Sequence, residues 1–127
     1  MPLIKTPRTI LATQSNAAGA TVRAAIDLNA VYGGLLTLRI ANGATGPTVQ
    51  CVGNVHVAHS ATLPETGPAG AVWKTVYSFG GGVAANVVTE LVYQVPDDVM
   101  ALQVEYTGNT GQPVTVEALL SELTSPI

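Results

Sequence analysis

The sequence predicts an all-β fold: a two-sheet antiparallel β-sandwich, jelly-roll-like, of about eight strands. Apolar and polar residues alternate with period two between successive turn signals. Hydrophobic residues make up 47% of the chain and charged residues only 10%, which argues against disorder. Because a strand points successive side chains to opposite faces, this alternation predicts one face in a core and one in solvent.

The 127 residues fit one domain, long enough to form a core without metals or disulfides. We predict an extended N-terminal arm over residues 1–16 and a single β-sandwich domain over residues 17–127. Pro2 and Pro7 predict the arm, because each removes a backbone donor and disfavours helix. Cys51 is the single cysteine of the sequence, so it has no internal disulfide partner, and its apolar parity predicts a buried, inert thiol.

Eight segments are predicted as strands because their apolar residues keep one parity. In chain order they are 9–13, 20–28, 35–41, 48–58, 72–79, 87–95, 99–107 and 113–121. Two of them also allow a helical interpretation, since Ala24-Ala25-Ile26 interrupts the alternation and residues 116–123 place apolar side chains at helical spacing. Neighbouring β-branched residues favour strand for both.

The parity within these segments predicts which side chains enter the core. They are Val22, Ala24, Ile26, Leu28, Leu36, Leu38, Ile40, Trp73, Tyr77, Phe79, Val87, Leu91, Tyr93, Val95, Leu102, Val104, Tyr106, Val114, Val116, Ala118 and Leu120. The opposite parity, which includes Glu90, Glu105 and Glu117, is predicted to face solvent. Pro96-Asp97-Asp98 predicts a turn, and residues 59–70 have no period and predict a long loop.

Few residues of the sequence belong to types that bind metals or catalyse reactions. His56 and His59 lie three apart, so in a strand they face opposite ways, and His56 falls on the polar parity predicted to be exposed. With no Cys or third His nearby, they do not make a zinc site, and Asp97-Asp98 lacks the spacing of a calcium loop. We therefore predict no metal and no cofactor.

The sequence also contains no recognisable catalytic motif. None of the serines lies in a nucleophile elbow, and Gly80-Gly81-Gly82 lacks the Lys-Ser/Thr end of a phosphate loop. The sequence predicts a protein that is not an enzyme. A hydrolase stays open as an alternative only if the fold joins His56 or His59 to a serine or an acid.

The distribution of charge argues against nucleic acid as a partner, and the lengths of the apolar runs argue against a membrane. Four of the five basic residues lie within residues 1–40, including Lys5 and Arg8, but they do not cluster as nucleic-acid binding requires. No apolar run is long enough for a membrane span or a signal peptide. We predict Lys5 and Arg8 as interface residues of the arm. They are either solvated or in contact with an acidic protein surface.

Several stretches resemble small structural proteins of tailed bacteriophages, over roughly residues 20–123. They are Tyr32–Gly43, Cys51–Val55, Trp73–Gly82, Val95–Met100 and Val104–Gly111. The resemblance implies a virion component: a capsid decoration or cement protein that binds the major capsid protein or another virion protein, or a tail or head-fibre-associated module. It implies location in the virion after synthesis in the host cytoplasm. It carries over no site residues, because the family has no motif that defines a site.

Two further expectations follow. Capsid lattices place copies around symmetry axes, so we expect a homo-oligomer, with a trimer favoured. The alternative function is a carbohydrate-binding β-sandwich module, which would place an aromatic side chain such as Tyr32 or Trp73 at a loop end, beside acids and amides.

Overall fold

Eight strands form two four-stranded sheets in the computed structural model, which describes residues 4–125. The strands are β1 (Ile4–Asn16), β2 (Val22–Asp27), β3 (Gly34–Asn42), β4 (Val52–Ala58), β5 (Lys74–Gly80), β6 (Val88–Val95), β7 (Ala101–Thr107) and β8 (Val114–Ser125). Sheet A has the order β1-β8-β3-β6 and sheet B the order β2-β7-β4-β5. Every pair of neighbours is antiparallel. This interleaved order is that of a jelly roll, so the predicted fold class is confirmed.

The core fills the space between the sheets and takes one parity from most strands. In β3, Leu36, Leu38 and Ile40 are fully buried while the residues between them are more exposed. The buried apolar cluster consists of Ile10, Leu11, Ile26, Leu28, Leu36, Leu38, Ile40, Cys51, Val55, Val95, Leu102, Val104, Tyr106, Val114, Val116, Ala118 and Leu120. A one-residue slip would turn these side chains to solvent, so the alternation fixes the register.

Both segments with a second, helical interpretation are strands. Val22–Asp27 is β2, which pairs with β7 without a register shift. Residues 116–123 lie within β8, the strand that connects β1 to β3 in sheet A. Backbone pairing on both sides of β8 outweighs the helical spacing of its leucines, as tertiary context commonly does.

The predicted arm requires correction, because Ile4–Asn16 is strand β1 and pairs with β8 along its length. β1 contributes buried Ile10 and Leu11 to the core. Its last residue, Asn16, donates from Nδ2 to Oδ1 of Asn109 at 2.7 Å, which ties β1 to the turn between β7 and β8. Pro7 fits because β1 is an edge strand, where a missing donor is tolerated. Residues 1–3 of the predicted arm lie outside the described residues.

Candidate functional site

Two surfaces are candidates for a functional site: the outer faces of the two sheets. On sheet B, the strand register places Arg23, Glu105, Asn54 and Ser78 in one row across β2, β7, β4 and β5. We call these four residues the polar row. On sheet A, the corresponding outward positions include exposed apolar side chains. The two faces differ in chemistry and in what covers them.

The polar row is joined by hydrogen bonds from end to end. Arg23 Nε donates to Glu105 Oε2 at 2.6 Å, and Asn54 Nδ2 donates to Glu105 Oε1 at 2.9 Å. Ser78 Oγ donates to Asn54 Oδ1 at 2.6 Å. Glu105 is only 7% exposed, so the prediction that it faces solvent is wrong. Its two carboxylate oxygens are both occupied, because cross-strand neighbours lie within direct reach.

A loop of residues 59–73, here called the covering loop, packs over the outer face of sheet B. Trp73 is 2% exposed and packs with Ala58, Ala101 and Ala25, all on outward positions. The Trp73 Nε1–H donates to the backbone carbonyl of Glu65 at 2.8 Å, within the same loop. These contacts form a second, smaller apolar cluster outside the sandwich.

A β-bulge explains why the parity of Trp73 misleads. The β4–β5 register shifts between Val55 and His56, which inserts one extra residue into β5. Before the bulge, Trp73 lies on the outer face; after it, Tyr77 and Phe79 turn inward. The prediction that all three share one core face is therefore wrong for Trp73, although its burial was expected. It is also wrong for Tyr77, which turns inward but is 36% exposed at the sheet edge.

Gln103 fastens the covering loop to the sheet. Its Nε2 donates to the carbonyl of Gly67 at 2.6 Å, and its Oε1 accepts from the Gly67 N–H at 3.0 Å. The same Nε2 lies 2.7 Å from Nδ1 of His56. Because one amide hydrogen of Gln103 points to Gly67, the other points to His56, whose Nδ1 accepts it as a neutral ring.

His56 is thus an internal residue. Its side chain is 1% exposed, so the prediction of an exposed imidazole is wrong: the covering loop and Gln103 enclose it. Desolvation by burial lowers the pKa of His56, the charge of Glu105 opposes this, and the charge of Arg23 adds to it. His59, at the start of the covering loop, is exposed.

The enclosed polar groups are not arranged for catalysis. His56 is hydrogen-bonded to the amide of Gln103, and both oxygens of Glu105 are taken by Arg23 and Asn54. Cys51 is fully buried, as predicted, and burial raises the pKa of its thiol to about 11. Within residues 4–125, no three His, Cys, Asp or Glu side chains come together as a metal site. The same part of the chain contains no helix that is long and apolar enough to cross a membrane.

The outer face of sheet A exposes apolar side chains on three neighbouring strands. We call it the apolar face and define it by Leu35, Val88, Val92 and Leu119, which are 44%, 44%, 59% and 39% exposed. Thr37 lies between Val92 and Leu119 in register. A groove of about 470 Å³ passes over Leu35 and Leu119.

Charge on this face is concentrated in one row. Arg39 of β3 pairs in register with Glu90 of β6 on one side and Glu117 of β8 on the other. Glu117 also accepts from Thr13 Oγ1 at 2.9 Å. The row crosses the face between Val88 on one side and Val92 and Leu119 on the other, so Leu35, Val92 and Leu119 lie together on one side of it.

The two residues predicted as an interface have different environments. Lys5 is exposed and lines a second groove of about 300 Å³ with Leu35, at the rim of the apolar face. Arg8 donates from Nη1 to Glu122 Oε1 at 3.0 Å. Since Glu122 is 2% exposed, Arg8 serves to neutralise a buried carboxylate. Arg8 also lines the groove over Leu35 and Leu119, and its side chain is 44% exposed, so both residues stay predictions as interface residues.

The tyrosines are divided between core and surface. Tyr106 is buried, and burial raises the pKa of its hydroxyl well above the usual range. Tyr32 is exposed in the loop between β2 and β3. Tyr77 and Tyr93 stack with ring centroids 5.8 Å apart, where the β5 edge of sheet B faces the β6 edge of sheet A.

Comparison with known proteins places this architecture among jelly-roll β-sandwich domains. No protein-family model and no curated protein matches the chain. The K3 cleaved adhesin domain of Lys-gingipain from Porphyromonas gingivalis W83 matches with a TM-score of 0.57 at 10% identity, over 86% of this chain and 72% of that one.

Two further matches come from different kinds of protein. A chain of infectious bursal disease virus, Gx strain, gives a TM-score of 0.52 at 10% identity, over 96% of this chain and 32% of that one. The family 29 carbohydrate-binding module CBM29_1 from Piromyces equi gives 0.51 at 14% identity, over 92% and 90%. At these identities the likeness establishes the fold alone, which viral proteins and carbohydrate-binding modules share.

Proposed function

We propose that this chain is a non-enzymatic virion structural protein, a capsid decoration or cement protein that binds and stabilises the assembled head. The apolar face is its docking surface for the major capsid protein or another virion protein. The observation that carries the proposal is the exposure of Leu35, Val92 and Leu119 together around Thr37 on one sheet face, on one side of the Arg39 row. Contiguous exposed apolar patches on soluble domains mark interaction sites.

The composition of the apolar face supports this role. Protein interfaces are depleted of charge at their centre and polar at their rim. Leu35, Thr37 and Leu119 line the groove with one charged residue, Arg8, which is already paired with Glu122, whereas Lys5 lies at the rim. The match to a viral chain is consistent with a virion location at the level of fold.

The proposal includes an absence of catalysis and an assembly in copies. It is supported by the mutual satisfaction of His56, Gln103, Glu105 and Arg23, which leaves none of them poised as a base or nucleophile. A capsid lattice repeats its surface around symmetry axes, so a decoration protein binds it in many copies, and a trimer is one natural grouping.

The function is tested on particles of the virus whose genome encodes the chain. Mass spectrometry of purified virions should detect the chain in stoichiometric amount. Purified protein should co-sediment with particles that lack it and should raise the temperature at which those particles lose their genome. Absence from purified virions, together with no co-sedimentation, would overturn the proposal.

A carbohydrate-binding module is the second candidate, supported by the exposure of Tyr32 and Tyr77 and by the shared fold of CBM29_1. Sugar binding commonly uses exposed aromatic faces together with polar groups. A glycan array probed with the wild type and with Tyr32→Ala and Tyr77→Ala separates this function from the first. Binding that these changes abolish would favour the carbohydrate-binding module.

A further inference from the structure

Strand β6 has one edge that no strand of the described residues 4–125 occupies, because β6 is the last strand of sheet A. The orientation of its backbone groups follows from two hydrogen bonds. Asn42 N donates to Val87 O at 2.9 Å, and this pair is one step beyond the β3–β6 register. Directly opposed residues that bond in this way alternate along an antiparallel ladder. Odd-numbered residues of β6 therefore point their N–H and C=O groups to β3.

The even-numbered residues point theirs to the free edge. These are Val88, Glu90, Val92 and Gln94. The other side of β3 agrees with the assignment, since Leu123 N donates to Gly33 O at 3.0 Å, one step beyond the β3–β8 register, so odd residues of β3 bond to β8 and even ones to β6. Four donors and four acceptors thus form a row along the β6 edge.

The other three sheet edges carry more features that discourage further pairing than β6, whose one charged residue is Glu90. β1 contains Pro7 and three register irregularities against β8, and it contacts β2 and β7 of the opposite sheet. β2 is only six residues long and carries Arg23, and β5 carries a bulge and Lys74. β6 is eight residues long, pairs with β3 without a shift, and contains no proline and no basic residue. Such regular, apolar edges are the ones that recruit another strand.

The sequence of β6 is compatible with its own two-fold copy. Antiparallel pairing about a two-fold axis at Leu91 opposes Glu90 to Val92 of the partner copy, and an axis at Val92 opposes Glu90 to Gln94. Both registers join even-numbered residues to even-numbered residues, as the exposed backbone groups require. Neither register opposes Glu90 to its own symmetry mate, so the one charge of the strand meets no like charge directly opposite.

We propose that two copies of this chain pair through their β6 strands, antiparallel and about a two-fold axis near Leu91 or Val92, which makes one continuous eight-stranded sheet from two copies of sheet A. A register centred on Leu91 forms about eight inter-chain hydrogen bonds. The apolar faces of the two copies then become one continuous surface. This pairing is independent of the proposed function, and it predicts an even-numbered assembly in place of a trimer.

Amide hydrogen exchange on the wild type, read by NMR residue by residue, tests the pairing without any substitution. As concentration rises from about 10 µM to about 1 mM, a range that spans weak dimers, the amides of Val88, Glu90, Val92 and Gln94 should become protected. The amides of Thr89, Leu91 and Tyr93 should be protected throughout. Exchange of the even-numbered amides that is fast and independent of concentration, with a monomeric mass by light scattering, would overturn the proposal.

Two variants locate the contact. Val92→Pro removes a donor that points to the free edge and leaves the ladder with β3 intact, so it should weaken dimerisation roughly tenfold to thirtyfold, because two hydrogen bonds are lost per dimer. Leu119→Lys, in the centre of the apolar face on β8, is the matched control and should leave the dimer unchanged. A dimer or trimer that survives Val92→Pro but is lost with Leu119→Lys would overturn edge pairing in favour of face packing.

A third variant decides the matter if Val92→Pro does not fold. Val92→Glu keeps every backbone donor and is placed where the side chain is 59% exposed, so the monomer should fold normally. In either register it brings a new carboxylate opposite Glu90 or its own mate across the axis, and the like charges should dissociate the dimer. An unchanged dimer in Val92→Glu would contradict the pairing.

Discussion

The outer faces of sheets A and B are built from four antiparallel strands each, yet one is bare and the other is covered. On sheet B the covering loop packs Trp73 against the strands and encloses His56 and Gln103. On sheet A, Val92 and Leu119 remain exposed on outward positions. The part of sheet B that carries His56, Gln103 and Trp73 is thus enclosed, whereas the apolar face of sheet A meets solvent.

This inversion indicates which surface is available to a partner. The groups of the polar row already satisfy one another, and a ligand there would have to displace good hydrogen bonds. The side chains of the apolar face leave between 39% and 59% of their surface uncovered by the described chain. Their burial by a partner would be favourable, because apolar surface removed from water contributes about 25 cal/mol per Å².

Truncation of Trp73 should give the largest difference in the free energy of unfolding between a variant on sheet B and its control on sheet A. Trp73→Ala removes the centre of the outer cluster and its hydrogen bond to Glu65, so the free energy of unfolding should fall by about 3–5 kcal/mol. Leu119→Ala on the apolar face is the control and should lower it by only about 1 kcal/mol, because the side chain is partly buried. Urea denaturation of both variants provides the comparison. Equal losses would mean that the covering loop does not hold its face.

Neutralisation of Glu105 should lower the free energy of unfolding by less than truncation of Trp73 does. Glu105→Gln keeps the shape of the side chain but removes the charge that Arg23 and Asn54 bind, at a cost of about 1–3 kcal/mol. Glu90→Gln, an exposed carboxylate on sheet A, should cost about 0.5 kcal/mol or less. A result in which Glu90→Gln costs as much as Glu105→Gln would show that the contacts of Glu105 with Arg23 and Asn54 do not stabilise the fold.

The buried histidine predicts a modest dependence of stability on pH. Burial lowers the pKa of His56 below the value of 6.5 that applies to the unfolded chain. Between these two values the unfolded chain binds a proton that the folded chain does not, so stability is complete above about pH 6.5 and falls as the pH drops below it. Denaturation curves on either side of pH 6.5 should reveal the decline.

Histidine variants assign this dependence. His56→Gln should flatten the decline below about pH 6.5, because the titrating ring under the covering loop is gone. His59→Gln should leave it unchanged, since the side chain of His59 is exposed. A decline that disappears with His59→Gln instead would refute the assignment to His56.

The smallest effect on stability is expected from a charge placed on the apolar face. Leu119→Lys should change the free energy of unfolding by about 0.5 kcal/mol or less, because the long side chain can keep its ammonium in solvent. Thermal and urea denaturation are sufficient to measure it. A loss of several kcal/mol would mean that Leu119 belongs to the core of the free protein.

Period-two alternation was sufficient to predict all eight strands, because core-facing residues such as Leu36 and Leu38 have to recur on one parity. It could not predict what lies over an outward face. Nothing in the spacing of His56, Gln103 and Glu105 indicates that a loop 36 residues from Gln103 in sequence would bond to it. The prediction of an arm over residues 1–16 was wrong for a related reason. The pairing of β1 with β8 joins the two ends of the chain, and local spacing does not reveal such a distant contact.

The bulge in β5 is a second feature that period-two alternation does not predict. A single extra residue between Trp73 and Tyr77 exchanges the faces on either side of it, and no residue type in Lys74–Val76 signals this locally. The exposure of the apolar face, by contrast, follows parity: Val92 and Leu119 fall on the parity opposite to the core. Their position was predictable, whereas the absence of a cover within the described chain required the structure.

A co-sedimentation assay with virus particles that lack the protein tests most directly whether the apolar face is the docking surface. It compares Leu119→Lys, on the apolar face, with Val76→Lys, an equally exposed valine at the bulge of sheet B. We expect Val76→Lys to bind the particles like the wild type and Leu119→Lys to lose binding at least about tenfold, since a buried, unpaired ammonium is costly in an interface. Full binding by Leu119→Lys with loss of binding by Val76→Lys would contradict the account, because it would place the docking surface on sheet B.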